Sequence, residues 1–188
     1  MFDPSKYNEL SVTESPIPGL FVITLPVHGD NRGWFKENYQ KEKMEILGLP
    51  EFAVVQNNFS YNHERGATRG LHAEPWEKYI SVANGSVFGA WVDVRKGESF
   101  GTTFTVEINP GIAVFVPRGV ANGYQTLEDA VTYTYLVNEH WSPEATYTFV
   151  NLFDPDINIS WPIQRDQAII SEKDATHPLL RNITPMEV

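Results

Sequence analysis

The chain contains no cysteine, which excludes disulfides, thiol nucleophiles and cysteine-ligated metals. It has no apolar run near the ~20 residues that span a bilayer, so no transmembrane helix and no membrane partner are expected. Residues Met1 to Lys6 show no basic start followed by an apolar stretch, so no signal peptide is expected either. The sequons at Asn58, Asn84, Asn158 and Asn182 then carry no meaning as glycosylation sites, and a cytoplasmic location is the expectation. Basic residues are scarce: 14 Lys and Arg stand against 24 Asp and Glu, a formal net charge of −10. Sequence-blind nucleic-acid binding runs on Lys and Arg, so no nucleic-acid partner is expected. An anionic small ligand remains compatible, provided that a few cations are gathered at one place.

Aromatic residues are abundant. Five Trp, 8 Tyr and 11 Phe in 188 residues supply far more burial than a disordered chain carries, and the length suits a single domain. Thirteen Pro and 13 Gly punctuate the chain and read as frequent turns. Between them lie short β-branched and aromatic runs at 20–25, 52–56, 79–83, 86–94, 102–108, 112–116 and 131–137. Asn84-Gly85 between two of these runs predicts a hairpin turn. Val131, Tyr133, Tyr135 and Val137 alternate with Thr132, Thr134 and Leu136, the period of a strand with two distinct faces. Helical spacing is clear only over Gln40–Leu47, with one or two short helices expected beyond Ile163. The pattern predicts an all-β fold, an antiparallel β-sandwich or jelly-roll barrel with a few short peripheral helices.

Five histidines are the obvious proton carriers. His28, His63, His140 and His177 sit in polar or proline-rich strings and read as ordinary imidazoles. His72 differs, because Arg69, His72 and Lys78 fall within ten residues of one another and flank the start of a strand. In a regular strand Arg69 and His72 would face opposite sides, unless a turn at Gly70 redirects them.

Gly111-Ile-Ala-Val-Phe-Val-Pro117-Arg118-Gly119-Val-Ala-Asn122 resembles the second motif of the cupin superfamily, with Asn122 where the metal-binding His stands. In the first cupin motif, His72 is followed by Ala73 and Glu74 rather than by a second His. The ligand set is nearly gone, so no metal is expected and any chemistry falls to side chains. The likeness tightens along the chain, through Gly29-Asp30-Asn31-Arg32-Gly33-Trp34-Phe35-Lys36-Glu37, Val55-Gln56-Asn57-Asn58-Phe59-Ser60 and Thr68-Arg69-Gly70-Leu71-His72. It continues through Trp91-Val92-Asp93-Val94-Arg95, Pro117-Arg118-Gly119-Val120-Ala121-Asn122-Gly123-Tyr124, Asp154-Pro155 and Ile159-Ser160-Trp161-Pro162. In this order the strings resemble the dTDP-4-dehydrorhamnose 3,5-epimerase family, from about Pro16 to Leu180.

The resemblance implies a single epimerase domain over 1–188, with a jelly-roll core at about 16–162 and a C-terminal segment, 163–188, closing the site. It implies dTDP-4-keto-6-deoxy-D-glucose as substrate, inverted at C3 and C5 on the way to dTDP-L-rhamnose. No cofactor is implied, because the C4 ketone acidifies both centres and acts as the electron sink. Such an inversion needs a base on one face, an acid on the other and stabilisation of the enolate between them. By resemblance His72 is the base, oriented by Asp174, while Tyr135 is the acid and Tyr133 its rival. Lys78 matches the lysine that neutralises the enolate oxygen, six residues after His72, across a contracted loop. Arg32, Glu37, Gln56, Asn58 and Arg69 are implied to line the substrate site, with Lys173 beside Asp174, and Trp34, Phe35 or Trp141 to stack on thymine. Asn122 takes the place of a His that contacts substrate, where it can still hydrogen-bond but cannot carry charge. A homodimer is implied, with Arg32 and Glu37 serving the neighbour's site. The competing readings are a C3-only or C5-only dTDP-sugar epimerase and a non-catalytic sugar-nucleotide-binding cupin. A metal-dependent cupin oxygenase is disfavoured by the missing ligands.

Overall fold

The computed structural model describes residues 2–188. Two antiparallel sheets pack face to face. The first runs in the order β1 (Ser11–Glu14), β2 (Phe21–Thr24), β10 (Ile112–Val116), β7 (Lys78–Asn84), β12 (Val131–Val137) and β5 (Gln56–Asn62). The second runs β13 (Thr148–Phe149), β6 (Ala67–Ala73), β11 (Val120–Thr126), β8 (Val87–Asp93) and β9 (Thr103–Ile108), with β14 (Ile169–Ile170) lying parallel to β6. A separate ribbon pairs β3 (Val27–Asp30) with β4 (Gly33–Lys36). The helices are α1 (Lys41–Ile46) and α2 (Glu172–Ala175). This is the all-β sandwich that the strand pattern predicts. No helix among the described residues is long and apolar enough to cross a membrane.

The core has three apolar layers, which explains why so few strands alternate cleanly. Between the sheets lie Ile80, Val82, Val114, Val116, Val131 and Tyr133 from one side and Val87, Trp91, Ile108, Val120 and Tyr124 from the other. The outer face of the second sheet is covered by the C-terminal part of the chain, where Val150, Leu152, Ile157, Trp161 and Leu180 pack on Leu71, Ala90, Val92 and Ala121. The outer face of the first is covered by α1 and the segment after it, with Met44, Leu49 and Phe52 against Tyr79 and Phe115. A strand buried on both faces reads as a continuous apolar run, and in β8 only Phe88 escapes full burial. Each large side chain removed from water here contributes roughly 1.5–3 kcal/mol.

Several local expectations change. Asn84-Gly85 does not close a hairpin, because β7 and β8 belong to different sheets. Each already has two partners, β10 and β12 for β7, β11 and β9 for β8. The dipeptide instead turns the chain across the sandwich. Gly85 supplies φ +83°, and a Cβ there would fall 2.7 Å from Val131 Cγ2. The run expected as a strand from Phe52 forms one only from Gln56, since Phe52 is spent anchoring α1 to the core. The helix expected at Gln40–Leu47 is α1, capped by Gln40, whose side-chain oxygen accepts from Lys43 N at 2.7 Å. The short C-terminal helices are α2 and a 3₁₀ turn at Leu180–Asn182. Strands β6 and β11, which carry His72 and Asn122, lie outside the runs that the sequence pattern marks.

Candidate active site

His72 on β6 stands opposite Asn122 on β11, and Arg69 opposite Tyr124. Three steps along β6 thus match two along β11, a β-bulge in which Gly70 and Leu71 face Gly123. The extra residue reverses the alternation of side chains. Arg69 and His72 therefore line the same cavity, while Leu71 turns into the apolar layer behind the sheet. The bulge depends on the missing side chain of Gly123, whose Cβ would lie 2.8 Å from both Arg69 O and Leu71 Cδ2. Gly123→Ala is expected to destabilise the fold by about 1–3 kcal/mol through this overpacking. A thermal melt checks it, with a midpoint drop of several degrees expected and an unmoved midpoint showing that the bulge yields freely.

Behind His72 lies Asp174, delivered by the first turn of α2. Ser171 caps that helix, its Oγ accepting from Asp174 N at 3.1 Å. Asp174 Oδ1 accepts from His72 Nε2 at 2.9 Å and from His177 Nε2 at 3.1 Å, and Oδ2 accepts from Gly70 N at 3.3 Å. Burial would raise the Asp174 pKa, but the hydrogen bond and charge of His72, the Gly70 N–H and His177 together hold it below the usual carboxylate range. With Nε2 engaged, Nδ1 of His72 is the ring nitrogen left to handle a proton. These three side chains are also the one group of ligand-type residues that converges among the described residues, one donor atom from each within 4.8 Å of the others. Here those atoms are engaged with one another in hydrogen bonds.

The opposite wall comes from the other sheet. Tyr135 on β12 is half-buried and lines the cavity with His72. Burial first, and then the negative charge of Glu74, push the Tyr135 hydroxyl pKa up, so the group stays protonated. Its neighbour Tyr133 is buried and stacked on Tyr124 with ring centroids 4.1 Å apart, so it belongs to the core layer as well as to the cavity edge. Lys78 opens β7 with its ammonium 5.5 Å from the centre of the Tyr135 ring and 2.6 Å from Glu74 Oε1. That ion pair spans the contracted loop after His72 and ties its ends together. Asn122 is pinned by donating its Nδ2 to His72 O at 2.7 Å, and its Oδ1 lies 3.5 Å from Lys78 Nζ.

This inner cavity, about 220 Å³, adjoins an outer cleft of about 520 Å³, and the two share His72, Glu74 and Tyr135. Gln56, Asn58, Trp141 and Lys173 line the outer cleft, and Arg69 and Asn122 the inner cavity. Four expected residues are absent from both. Arg32, Trp34 and Phe35 sit on the β3–β4 ribbon, where Arg32 pairs with Asp30 and Trp34 packs edge-on against Phe2. Glu37, just beyond the ribbon, pairs with Lys43. The resemblance implies them at the substrate site, Arg32 and Glu37 at the neighbour's; within one chain none of the four lines the cavities around His72, and the ribbon pairs with neither large sheet. A larger groove, about 1,180 Å³, runs beside the ribbon and the N-terminal segment. It holds no histidine, and its Asp3, Asp30, Glu107 and Glu128 oppose an anionic ligand.

Glu74, His177, Tyr147 and Phe149 are site residues that the sequence reading passes over. Glu74 had a signal, standing four residues before Lys78. His177, read as an ordinary imidazole, stands three residues after Asp174, the interval that brings side chains to one side of a helical turn. Phe149 on β13, which pairs with β6, and Tyr147 just before that strand carry no local signal.

A family model described as dTDP-4-dehydrorhamnose 3,5-epimerase matches residues 14–182. A protein named RmlC homolog from Streptococcus pyogenes serotype M6 is 51% identical over 178 residues, which are 91% of this chain and 89% of that one. The structure of RmlC from Streptococcus suis in complex with dTDP-D-xylose matches with a TM-score of 0.90 and 50% identity over 95% of both chains. That of dTDP-6-deoxy-D-glucose-3,5-epimerase RmlC from Legionella pneumophila Philadelphia 1, in complex with dTDP-4-keto-L-rhamnose, matches with a TM-score of 0.84 and 30% identity, over 93% of this chain and 95% of that one. With the sandwich, the bulge that aligns Arg69 with His72 and the match over nearly the whole length, the chain belongs to the dTDP-4-dehydrorhamnose 3,5-epimerase family.

Proposed function

We propose that the protein epimerises dTDP-4-keto-6-deoxy-D-glucose at C3 and C5 to dTDP-4-keto-L-rhamnose, in dTDP-L-rhamnose biosynthesis. The observation that carries this reading is an imidazole backed by a buried carboxylate on one wall of a cavity and a protonated phenol on the facing wall, with an ammonium beside it. His72 Nδ1 takes the proton from the carbon next to the ketone, and Asp174 stabilises the imidazolium as it forms. Lys78 lies on the side where the enolate oxygen develops negative charge, and Tyr135 returns a proton from the opposite face. Imidazole, with a reference pKa of about 6.5, suits such a transfer near neutral pH. The raised Tyr135 pKa keeps that residue an acid across the same range.

The test is incubation with dTDP-4-keto-6-deoxy-D-glucose in D₂O, read by proton NMR of the sugar. Deuterium at both C3 and C5 with inversion at both is expected. Exchange at one centre only would make it a C3-only or C5-only epimerase, and exchange at neither would leave a sugar-nucleotide-binding cupin. Asp174→Asn tests the orientation of the base. It keeps the shape and removes the charge, and a rate loss on the order of 10² or more is expected. A loss within twofold would make Asp174 a structural carboxylate only.

The same proposal includes a homodimer. One chain offers Arg69, Lys173 and the already paired Lys78 around the cavities, few cations for a diphosphate, while Arg32 stands on the projecting ribbon. Phe35 on that ribbon is 64% exposed, and Phe59 on the edge strand β5 is 65% exposed. A second copy that covers these side chains and lends its ribbon to the cleft would complete the nucleotide end. Light scattering decides: twice the 21.3 kDa chain mass is expected, and a monomer would end this arrangement. A dTDP-sugar substrate also makes the cytoplasm the expected compartment, which fractionation of the source cells would check.

A further inference from the structure

Asp174 Oδ1 is shared. His72 Nε2 reaches it at 2.9 Å from one side and His177 Nε2 at 3.1 Å from the other. An ionised carboxylate only accepts, so each of these ring nitrogens must carry its hydrogen. His177 is 8% exposed and its backbone is held in place, since its carbonyl accepts from Asn151 Nδ2 at 3.0 Å. Its ring stacks on Phe149 with centroids 4.8 Å apart and meets the His72 ring edge-on at 5.4 Å. A ring fixed this firmly against the carboxylate does more than fill space.

We propose that His177 is a positioning residue for the His72–Asp174 pair: its Nε2–H holds the Asp174 carboxylate in the rotamer that faces His72 and moderates that carboxylate's pull on the imidazolium formed at His72. This rests on the reading of His72 as the base. Oδ2 is steadied by the Gly70 N–H and Oδ1 by His177, so the carboxylate cannot swing away when the proton arrives. The second donor also spreads the charge of Oδ1 over two hydrogen bonds. The carboxylate then stabilises the imidazolium enough to form it without trapping the proton there, which an epimerase must release on every turnover. His177 itself stays neutral: burial first, and then the nearby His72, lower its pKa below the usual imidazole value. Facing it are Asp174 and Lys173 of α2, His72 of β6 and the apolar ring of Phe149 on β13. Around the cavity, Arg69, Glu74, Lys78 and Tyr135 share the surroundings of His72.

The experiment compares the parent with His177→Phe, which keeps a stacking ring and deletes the donor, and His177→Gln, whose amide N–H can stand where Nε2–H stood. Two readouts are taken against pH: the NMR titration of the His72 ring in substrate-free enzyme, and the acid limb of deuterium wash-in. In His177→Phe both midpoints are expected to rise together by roughly half a pH unit or more, because the undiluted carboxylate holds the proton more tightly. His177→Gln should return both toward the parent. A folded His177→Phe with unmoved midpoints, or a His177→Gln that behaves like His177→Phe, would overturn the proposal. The parent enzyme gives a further check if His177→Phe does not fold. Its His177 must show the neutral Nε2–H ring throughout the active pH range, and an imidazolium or an Nδ1–H ring there overturns the assignment. A parent that binds dTDP without any wash-in would sink the proposed function, while the substrate-free titration still decides the part played by His177.

Discussion

His72→Ala is expected to abolish deuterium incorporation at both C3 and C5, a loss on the order of 10³–10⁴ or more, while dTDP binding changes little. The size follows from the geometry. His72 is the one imidazole of the inner cavity, and the carboxylate that would stabilise its protonated form is already bonded to it at 2.9 Å. His177 cannot take over, because its Nε2 is turned to the same Asp174 oxygen from behind and its ring is buried. Both exchanges should disappear together, since the proposed mechanism gives both centres a single base. The side chain is partly exposed, and its main-chain neighbours are held by the β6–β11 ladder, so the fold should survive truncation. Wash-in at either carbon near the parent rate in a folded variant would show that another group removes the proton.

Tyr135→Phe separates the two faces of the reaction. Deleting one hydroxyl leaves the ring against Lys78 and Tyr133, so packing should hold. The enolate can still form at His72 and be reprotonated on the face from which the proton left. Substantial wash-in should therefore persist while net inversion falls by about 10²–10⁴, the range for losing a positioned acid. The pattern, more than the size, is diagnostic: exchange without inversion requires an intact base and a missing donor opposite. Inversion at the parent rate would remove Tyr135 from the mechanism and turn attention to Tyr133. That rival shares the inward face of β12, but its ring is buried and stacked on Tyr124, with its pKa driven well above the usual value by burial and then by Tyr124. It reaches the inner cavity alone, from the core layer, whereas Tyr135 opens on both cavities.

The amino-acid sequence by itself determined the class of fold, because β-branched and aromatic runs between turns can bury themselves only in sheets. It also determined the pairing of faces on β12, since a period of two sends Tyr133 and Tyr135 the same way. The family motifs marked His72, Lys78, Tyr135 and Asp174 by resemblance, without distances. Tertiary structure decided the rest. Asp174 reaches His72 across 102 residues of chain only because the C-terminal segment packs on the outer face of the second sheet. Arg69 and His72 share a cavity only because one extra residue in β6 reverses their alternation. Gly70 marked where such a redirection could fall, but the bulge itself follows from how the two strands meet. Asn84-Gly85 keeps its turn chemistry but not its hairpin, since strand partners are chosen by the whole sheet. Arg32 and its ribbon stand apart from His72 for the same reason: a motif names a residue's chemistry, while packing sets which other residues it can touch.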